Sequence, residues 1–201
     1  MLKSEKFAKL EEKSRKKALK QPFKYGNPWE RIPPEEIQAE SFTTVIEIPK
    51  GGKQKYEIDE RTGLLRLDRI LYTSTHYPEN YGFIPQTLSE DGDALDVLVL
   101  CTEALQPLCT VNCYPIGVIT MIDQDLEDDK IIAIPFGDPQ MNAWHDMSEL
   151  PNHLLNEIQH FFSVYKELEG KQTSLTTSGG RAEAMDVINK AIAKFRAAHS
   201  K

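Results

Sequence analysis

Sixty consecutive residues, 70–129, contain no lysine or arginine, yet they carry eleven acids. These are Glu79, Glu90, Asp91, Asp93, Asp96, Glu103, Asp123, Asp125, Glu127, Asp128 and Asp129. They are interleaved with apolar runs, Val97–Cys101 and Val111–Ile122, that read as buried strands. Any compact fold must therefore bring several carboxylates up to an apolar core without a cation from the same segment. Like charges at this density repel unless opposite charge arrives from elsewhere. Divalent cations are the obvious candidates.

The whole-chain charge hides this. The 201 residues include 24 Lys plus Arg and 31 Asp plus Glu, a net of −7. Residues 1–25 hold nine basic and three acidic side chains, and the remainder holds fifteen and twenty-eight. A basic arm of +6 thus precedes a body of −13. The length fits one domain with an appendage: a basic arm or helix over 1–25 and a single domain over 26–201. A hydrophobic share of 40% with 27% charged residues excludes wholesale disorder, collagen and a disulfide scaffold. No run approaches the roughly 18 apolar residues of a membrane span.

Three cysteines, Cys101, Cys109 and Cys113, and no secretory pattern at the start point to a reducing, cytoplasmic setting. No histidine or second cysteine pair completes a zinc site around Cys109 and Cys113. All three cysteines read as small buried hydrophobes.

After the turn signals Gly26-Asn27-Pro28 and Pro33-Pro34, short strands begin. Phe42, Thr44, Ile46 and Ile48 alternate with Thr43, Val45 and Glu47 until Pro49, which predicts a strand with one buried face. Further strands are predicted at Lys55–Asp59, Leu64–Leu71, Val97–Cys101, Val111–Ile122 and Ile131–Pro135. That spacing suits a small barrel or sandwich. Two helices follow. Leu150, Leu154, Ile158, Phe161, Phe162, Tyr165 and Leu168 form the stripe of the first, with Pro151 at its start and Gly170 at its end. Met185, Ile188, Ile192 and Phe195 mark the second. Strands first and helices last predict an α+β fold with a β core.

Two acid clusters lie at strand ends. Glu90-Asp91-Gly92-Asp93-Ala94-Leu95-Asp96 leads into Val97–Leu100, and Asp123–Asp129 follows Val111–Ile122. Oxygen ligands of this kind suit Mg²⁺, Mn²⁺ or Ca²⁺ rather than zinc or copper. One such cluster alone reads as an acidic surface turn. Two of them within the cation-free sixty residues favour metal binding. An EF-hand is excluded: counted from Asp91, the sixth position is Asp96 rather than Gly and the twelfth is Thr102 rather than Glu. Lys55, Arg69, Lys130 and Lys166 frame this zone, and carboxylates for metals beside cations for anions fit a polyanionic phosphate substrate. No P-loop or G-x-G-x-x-G occurs.

Asp91-Gly-Asp93-Ala-Leu-Asp96-Val resembles the signature of the soluble family I inorganic pyrophosphatases. The resemblance runs from about Phe42 to about Lys171. It takes in Val45–Pro49, Lys55–Asp59, Asp68-Arg69, Tyr77–Pro85, Pro115–Val118, Met121–Asp123, Asp128–Lys130 and Phe161–Lys166. It implies a small five-stranded OB-like barrel with helices packed outside. It also implies Mg²⁺-dependent hydrolysis of pyrophosphate to two phosphates, by direct attack of a metal-bound hydroxide.

Through that resemblance Asp91, Asp96 and Asp128 are expected to hold the tightest Mg²⁺, and Asp123 further Mg²⁺ ions that arrive with substrate. Glu57 and Glu47 are expected to contact the metals or their waters, Glu47 also suiting a plain salt bridge. Asp93 matches the general base, with one more metal ligand as its other reading. Lys55, Arg69, Tyr81, Tyr165 and Lys166 match phosphate-binding groups, and Lys130 either neutralises the acids beside it or assists the leaving phosphate. From its stripe alone Tyr165 reads as core, and Tyr77 is open between packing and site. Gln124 stands where many bacterial members carry Glu. No role transfers to 1–25 or 172–201, and the five histidines match no family motif. The family also implies a homo-oligomer, a hexamer in bacteria and a dimer in animals and fungi. A silent metal-binding copy would be expected to lose some of the five aspartates, and all five stand here. Nucleic-acid binding is disfavoured by a body of −13.

Overall fold

The computed structural model describes residues 27–59, 62–123, 126–171 and 173–199; the expected basic arm, Gln124 and Asp125 lie outside them. The strands are β1 (Ile37–Gln38), β2 (Ser41–Ile48), β3 (Gln54–Asp59), β4 (Leu64–Ile70), β5 (Asn80–Ile84), β6 (Leu95–Val99), β7 (Thr110–Asp123), β8 (Leu126–Pro135) and β9 (Thr173–Gly180). The helices are α1 (Pro28–Arg31), α2 (Asn152–Val164) and α3 (Arg181–His199).

β2, β5, β6, β8 and β7 pair in that order, and β7 pairs back to β2, so five strands close into a barrel. β6 and β8 run parallel, and the other barrel pairs are antiparallel. This is the OB-like arrangement expected, within an α+β fold. β1 and β9 extend the sheet beyond the ring, while β3 and β4 form a separate hairpin. β7, 14 residues long, reaches β2 with its first half and β9 with its second.

Two apolar clusters occupy the two faces of this wall. Leu98, Ile119, Met121, Ile132 and Ile134 pack with Ile158, Phe161 and Phe162 of α2. Val97, Val99, Val118, Ile131 and Ala133 pack with Ala184, Ile188, Ala191 and Ile192 of α3. Covered on both faces, β2 is buried from Phe42 to Ile48, where its sequence predicted one buried face. The half-polar alternation was misleading because Thr43 and Thr44 are buried too, Thr43 by hydrogen-bonding the Asn112 Oδ1 at 2.8 Å.

The first helix ends at Val164, short of the predicted Gly170. Tyr165 caps it, and a separate 3₁₀ turn, Glu167–Glu169, carries the chain to Gly170 at φ +71°. Leu168 therefore leaves the stripe and stands 67% exposed. The second helix begins at Arg181, whose backbone N–H donates to the Asp146 carboxylate at 2.8 Å. No helix among the described residues is long and apolar enough to cross a membrane.

Candidate active site

Strand register brings the acids together. Asp96 lies opposite Phe83 of β5 and Lys130 of β8, and Leu98 lies opposite Tyr81 and Ile132. Asp128 lies opposite Met121 of β7, and Asp123 lies two residues further along that strand. With a side-chain period of two, Tyr81, Phe83, Asp96, Asp123, Asp128 and Lys130 all fall on the face that meets α2. Of the second acid cluster, Asp123 ends β7, while Glu127, Asp128 and Asp129 lie within β8, whose alternation sends Asp129 to the other face, where the Thr120 hydroxyl donates to it.

These residues line a cavity of about 450 Å³ together with Glu47, Lys55, Tyr56, Glu57, Ile58, Asp91, Asp93, Tyr165 and Lys166. All six predicted acids, Glu57, Asp91, Asp93, Asp96, Asp123 and Asp128, are present. So are five of the six predicted substrate groups. The sixth, Arg69, sits across the hairpin from Lys55 but does not line the cavity. Its Nε donates to Glu169 at 2.8 Å, and its Nη1 pairs with Asp68.

Each cavity lysine is paired with a predicted metal ligand. Lys130 donates to Asp96 at 2.7 Å and to both oxygens of Asp128 at 2.8 and 3.0 Å. Lys166 pairs with Asp123 and Lys55 with Glu57. The Tyr81 hydroxyl donates to Asp96 and accepts from Lys130 at 3.2 Å. Burial works against the charge on Lys130, but Asp96 and Asp128 outweigh it and hold the ammonium well above the usual lysine range. Burial likewise opposes Lys166, which Tyr165 and Asp123 hold charged. Asp128 is pushed up by burial against the pull of Lys130.

Glu47 sits at an irregularity in the β2–β5 register, between Ile46 and Ile48, which turns its side chain to the hairpin. Its carboxylate accepts from the Ile58 backbone N–H at 2.8 Å, where the sequence leaves a contact to metals or their waters and a plain salt bridge both open. Burial raises its pKa from 4.5 to about 8. Asp91 and Asp93 stand differently. They are exposed on a turn before β6, where Asp91 Oδ1 accepts from the Asp93 N–H at 3.1 Å and Gly92 takes φ +96°. Tyr77 is packing: its ring lies 4.8 Å from Phe161 and 5.2 Å from Tyr81, with 2% exposed.

The donor set suits a hard divalent cation. Seven carboxylates face three lysines in the lining, and Asp123 Oδ1 is buried without a hydrogen-bond partner. Among the described residues no group of three His, Cys, Asp or Glu is placed to hold an ion unaided, and lysines pair with Asp96, Asp128 and Asp123.

Sequence reasoning missed Asn27 and Trp29 at the cavity wall. They lie before the first recognisable motif, and Trp29 reaches the site through a bond from its indole N–H to the Thr87 carbonyl, 58 residues away. None of the five histidines lines the cavity.

A sequence profile described as inorganic pyrophosphatase matches residues 44–196. The chain is 45% identical over 171 residues to soluble inorganic pyrophosphatase 2 of Chlamydomonas reinhardtii, covering 85% of this chain and 89% of that protein. It is 46% identical over 163 residues to soluble inorganic pyrophosphatase 1 of Arabidopsis thaliana, covering 81% and 77%. Among solved structures, the inorganic pyrophosphatase of Helicobacter pylori superposes with a TM-score of 0.77 at 40% identity, covering 80% of this chain and 96% of that one. That of Thermus thermophilus gives 0.76 at 36%, covering 87% and 97%. Barrel, acid-lined cavity and sequence agree, and the chain belongs to the soluble family I inorganic pyrophosphatases.

Proposed function

We propose that this cavity hydrolyses inorganic pyrophosphate to two phosphates with several Mg²⁺ ions held by Asp91, Asp96, Asp123 and Asp128 and assisted by Glu57. The observation that carries this reading is the pairing of every cavity lysine with one of these carboxylates. A ligand of metals and phosphate together satisfies both halves of each pair, since the carboxylate passes to metal and the lysine to phosphate oxygen. Magnesium, when bound, supplies positive charge to the phosphates and acidifies water.

The residues of the chain do the rest. Asp93, on its exposed turn, takes the proton of the attacking water as general base. Lys55 and Lys166 hold phosphate oxygens by charge, and Tyr165 and Tyr81 offer neutral hydroxyl donors. Arg69 joins them by exchanging Glu169 for phosphate, its planar fork suiting two oxygens at once. Lys130 stays protonated beside Asp96 and Asp128 and steadies the charge on the departing phosphate.

The setting is cytoplasmic, the domain spans 26–201, and the working form is a homo-oligomer, a hexamer before a dimer. Leu64, Tyr72, Phe136 and Leu168 are large apolar side chains left in solvent by the single chain, of the kind an assembly covers. Sedimentation velocity decides the stoichiometry. Phosphate release from pyrophosphate with and without Mg²⁺ decides the reaction. Strong release that requires Mg²⁺ is expected, and none in its presence defeats the reading.

A further inference from the structure

The turn that carries Asp91 and Asp93 is exposed and short, and within it Asp91 Oδ1 accepts from the Asp93 N–H at 3.1 Å. Internally, Ser89 N–H donates to the Asp93 carbonyl at 2.8 Å and Gly92 N–H to Ser89 at 3.3 Å. These bonds shape the turn without orienting it against the barrel. The stem is tied to the barrel where the Leu95 N–H donates to the Thr87 hydroxyl at 2.9 Å, and it is flanked by two further segments, both outside the family motifs quoted above.

On one side lies the stretch Asn27–Ile32. The Asn27 side chain caps α1 by accepting from the Trp29 N–H at 3.0 Å. The Trp29 carbonyl accepts from Gln86 N–H at 3.0 Å, and its indole N–H donates to the Thr87 carbonyl at 2.8 Å. The Gln86 side chain donates back to the Ile32 carbonyl. Gln86 itself is held at φ +55°, a conformation a residue other than glycine keeps only when its surroundings impose it.

On the other side lies α3. Its Ala191 carbonyl accepts a bond from Leu88 N–H at 3.0 Å. Lys194 donates to the Ser89 carbonyl at 2.8 Å and pairs with Glu90 at 3.2 Å. The two sides meet where Trp29 packs against Phe195 of α3, ring centroids 5.9 Å apart. Residues 86, 87, 88 and 89 are thus each tied by at least one bond to a segment remote in sequence.

We infer that Asn27–Ile32 and α3 form a two-sided brace for the Asp91–Asp93 turn, with Trp29 and Lys194 as its positioning residues. The inference rests on the reading that these aspartates serve bound Mg²⁺. Removing one bond from a supporting shell lets the ligand wander, and such partners typically cost metal affinity rather than the fold. Trp29→Phe keeps a ring against Phe195 and deletes only the indole donor. Lys194→Gln ends one atom shorter and removes the charge that grips Ser89 and Glu90.

The test is a calorimetric titration of Mg²⁺ into the metal-free full-length chain, without pyrophosphate. Wild type, Trp29→Phe, Lys194→Gln and the charge control Lys190→Gln are compared well below their unfolding temperatures. Both brace variants are expected to bind Mg²⁺ about tenfold more weakly, the low end for loss of a supporting partner, with the control unchanged. In a Trp144→Phe background Trp29 is the sole tryptophan. Its fluorescence is expected to respond to Mg²⁺ and to lose that response when Asp91→Asn is added. Wild-type affinity in either brace variant overturns the two-sided brace and leaves the pyrophosphatase reading standing. Wild type that binds no Mg²⁺ overturns the metal reading and the brace with it.

Discussion

Two sets of carboxylates share one cavity under opposite rules. Asp96 and Asp128 belong to strands, lie against Lys130 and Tyr81, and keep 27% and 15% of their side chains exposed. Asp91 and Asp93 belong to a turn, stand in solvent, and are oriented by distant segments. The barrel wall fixes the first set through register, and no small motion can change one member without breaking a ladder. The second set can shift by losing a side-chain hydrogen bond. A buried cluster needs charge compensation to exist at all, whereas an exposed turn needs only orientation. The cavity therefore combines a rigid charged floor with an adjustable acidic lip.

The largest effect is expected at the floor. Lys130→Met strands two carboxylates beside an apolar cluster, and losing one partner of a buried ion pair costs about 3–5 kcal/mol. Urea unfolding in EDTA measures it, and Mg²⁺ is expected to return more stability to the variant than to wild type. A variant as stable as wild type in EDTA breaks the contrast between floor and lip.

Asp93→Asn attacks the lip. Its expected cost is about 10²–10⁴-fold in phosphate release, the range for loss of a general base. Stability should move by no more than about 0.5 kcal/mol, because the site is exposed and the turn's backbone bonds remain. Full activity in this variant removes Asp93 from the role of base and leaves the floor untouched.

The floor was far more legible in the sequence than the lip. Val97–Cys101 and Ile131–Pro135 are β-branched runs whose burial follows from composition alone, and the acids at their ends were visible as anomalies. What the period could not tell was closure of β2 on β7, since pairing partners leave no trace in a single strand. β9 escaped because Thr173–Gly180 is a largely exposed strand with little apolar signal. β5 escaped because it is only five residues long and contains Gly82, at which a Cβ would meet the Val45 carbonyl oxygen at 1.9 Å. Arg69 has the chemistry that suits phosphate, but in the fold Glu169, a hundred residues on, takes its Nε. Trp29 was invisible for the same reason: its bonds to the lip's stem depend on the finished fold.

Glu47 sharpens the account of the floor through pH. Its carboxyl titrates near 8 in the fold and near 4.5 when unfolded, so between those values the folded state holds the extra proton. In EDTA, stability is expected to fall as pH rises from about 4.5 to about 8 and to level off above that. Glu47→Gln keeps an acceptor for Ile58 and removes the ionisation, and should gain on the order of 3 kcal/mol over wild type at pH 8.5. Unfolding midpoints across that window are the check. Parallel pH profiles for the two proteins would mean that Glu47 ionises without penalty and that the floor tolerates more charge than its burial implies.

The smallest effect is expected at the outermost tie of the lip. Glu90 is 73% exposed and pairs with Lys194 at 3.2 Å. Exposed pairs of this kind are worth about 0–1 kcal/mol, so Glu90→Gln should leave urea unfolding within that margin. Its Mg²⁺ affinity should also stay within about twofold of wild type, because the Lys194 ammonium keeps its bond to the Ser89 carbonyl. Lys194→Gln loses both contacts and should not be so mild. If the two variants weaken Mg²⁺ equally, the lip is held by charge at Glu90. If only Lys194→Gln does, it is held by the hydrogen bond to its backbone, and the turn's orientation is set by geometry rather than by the field around it.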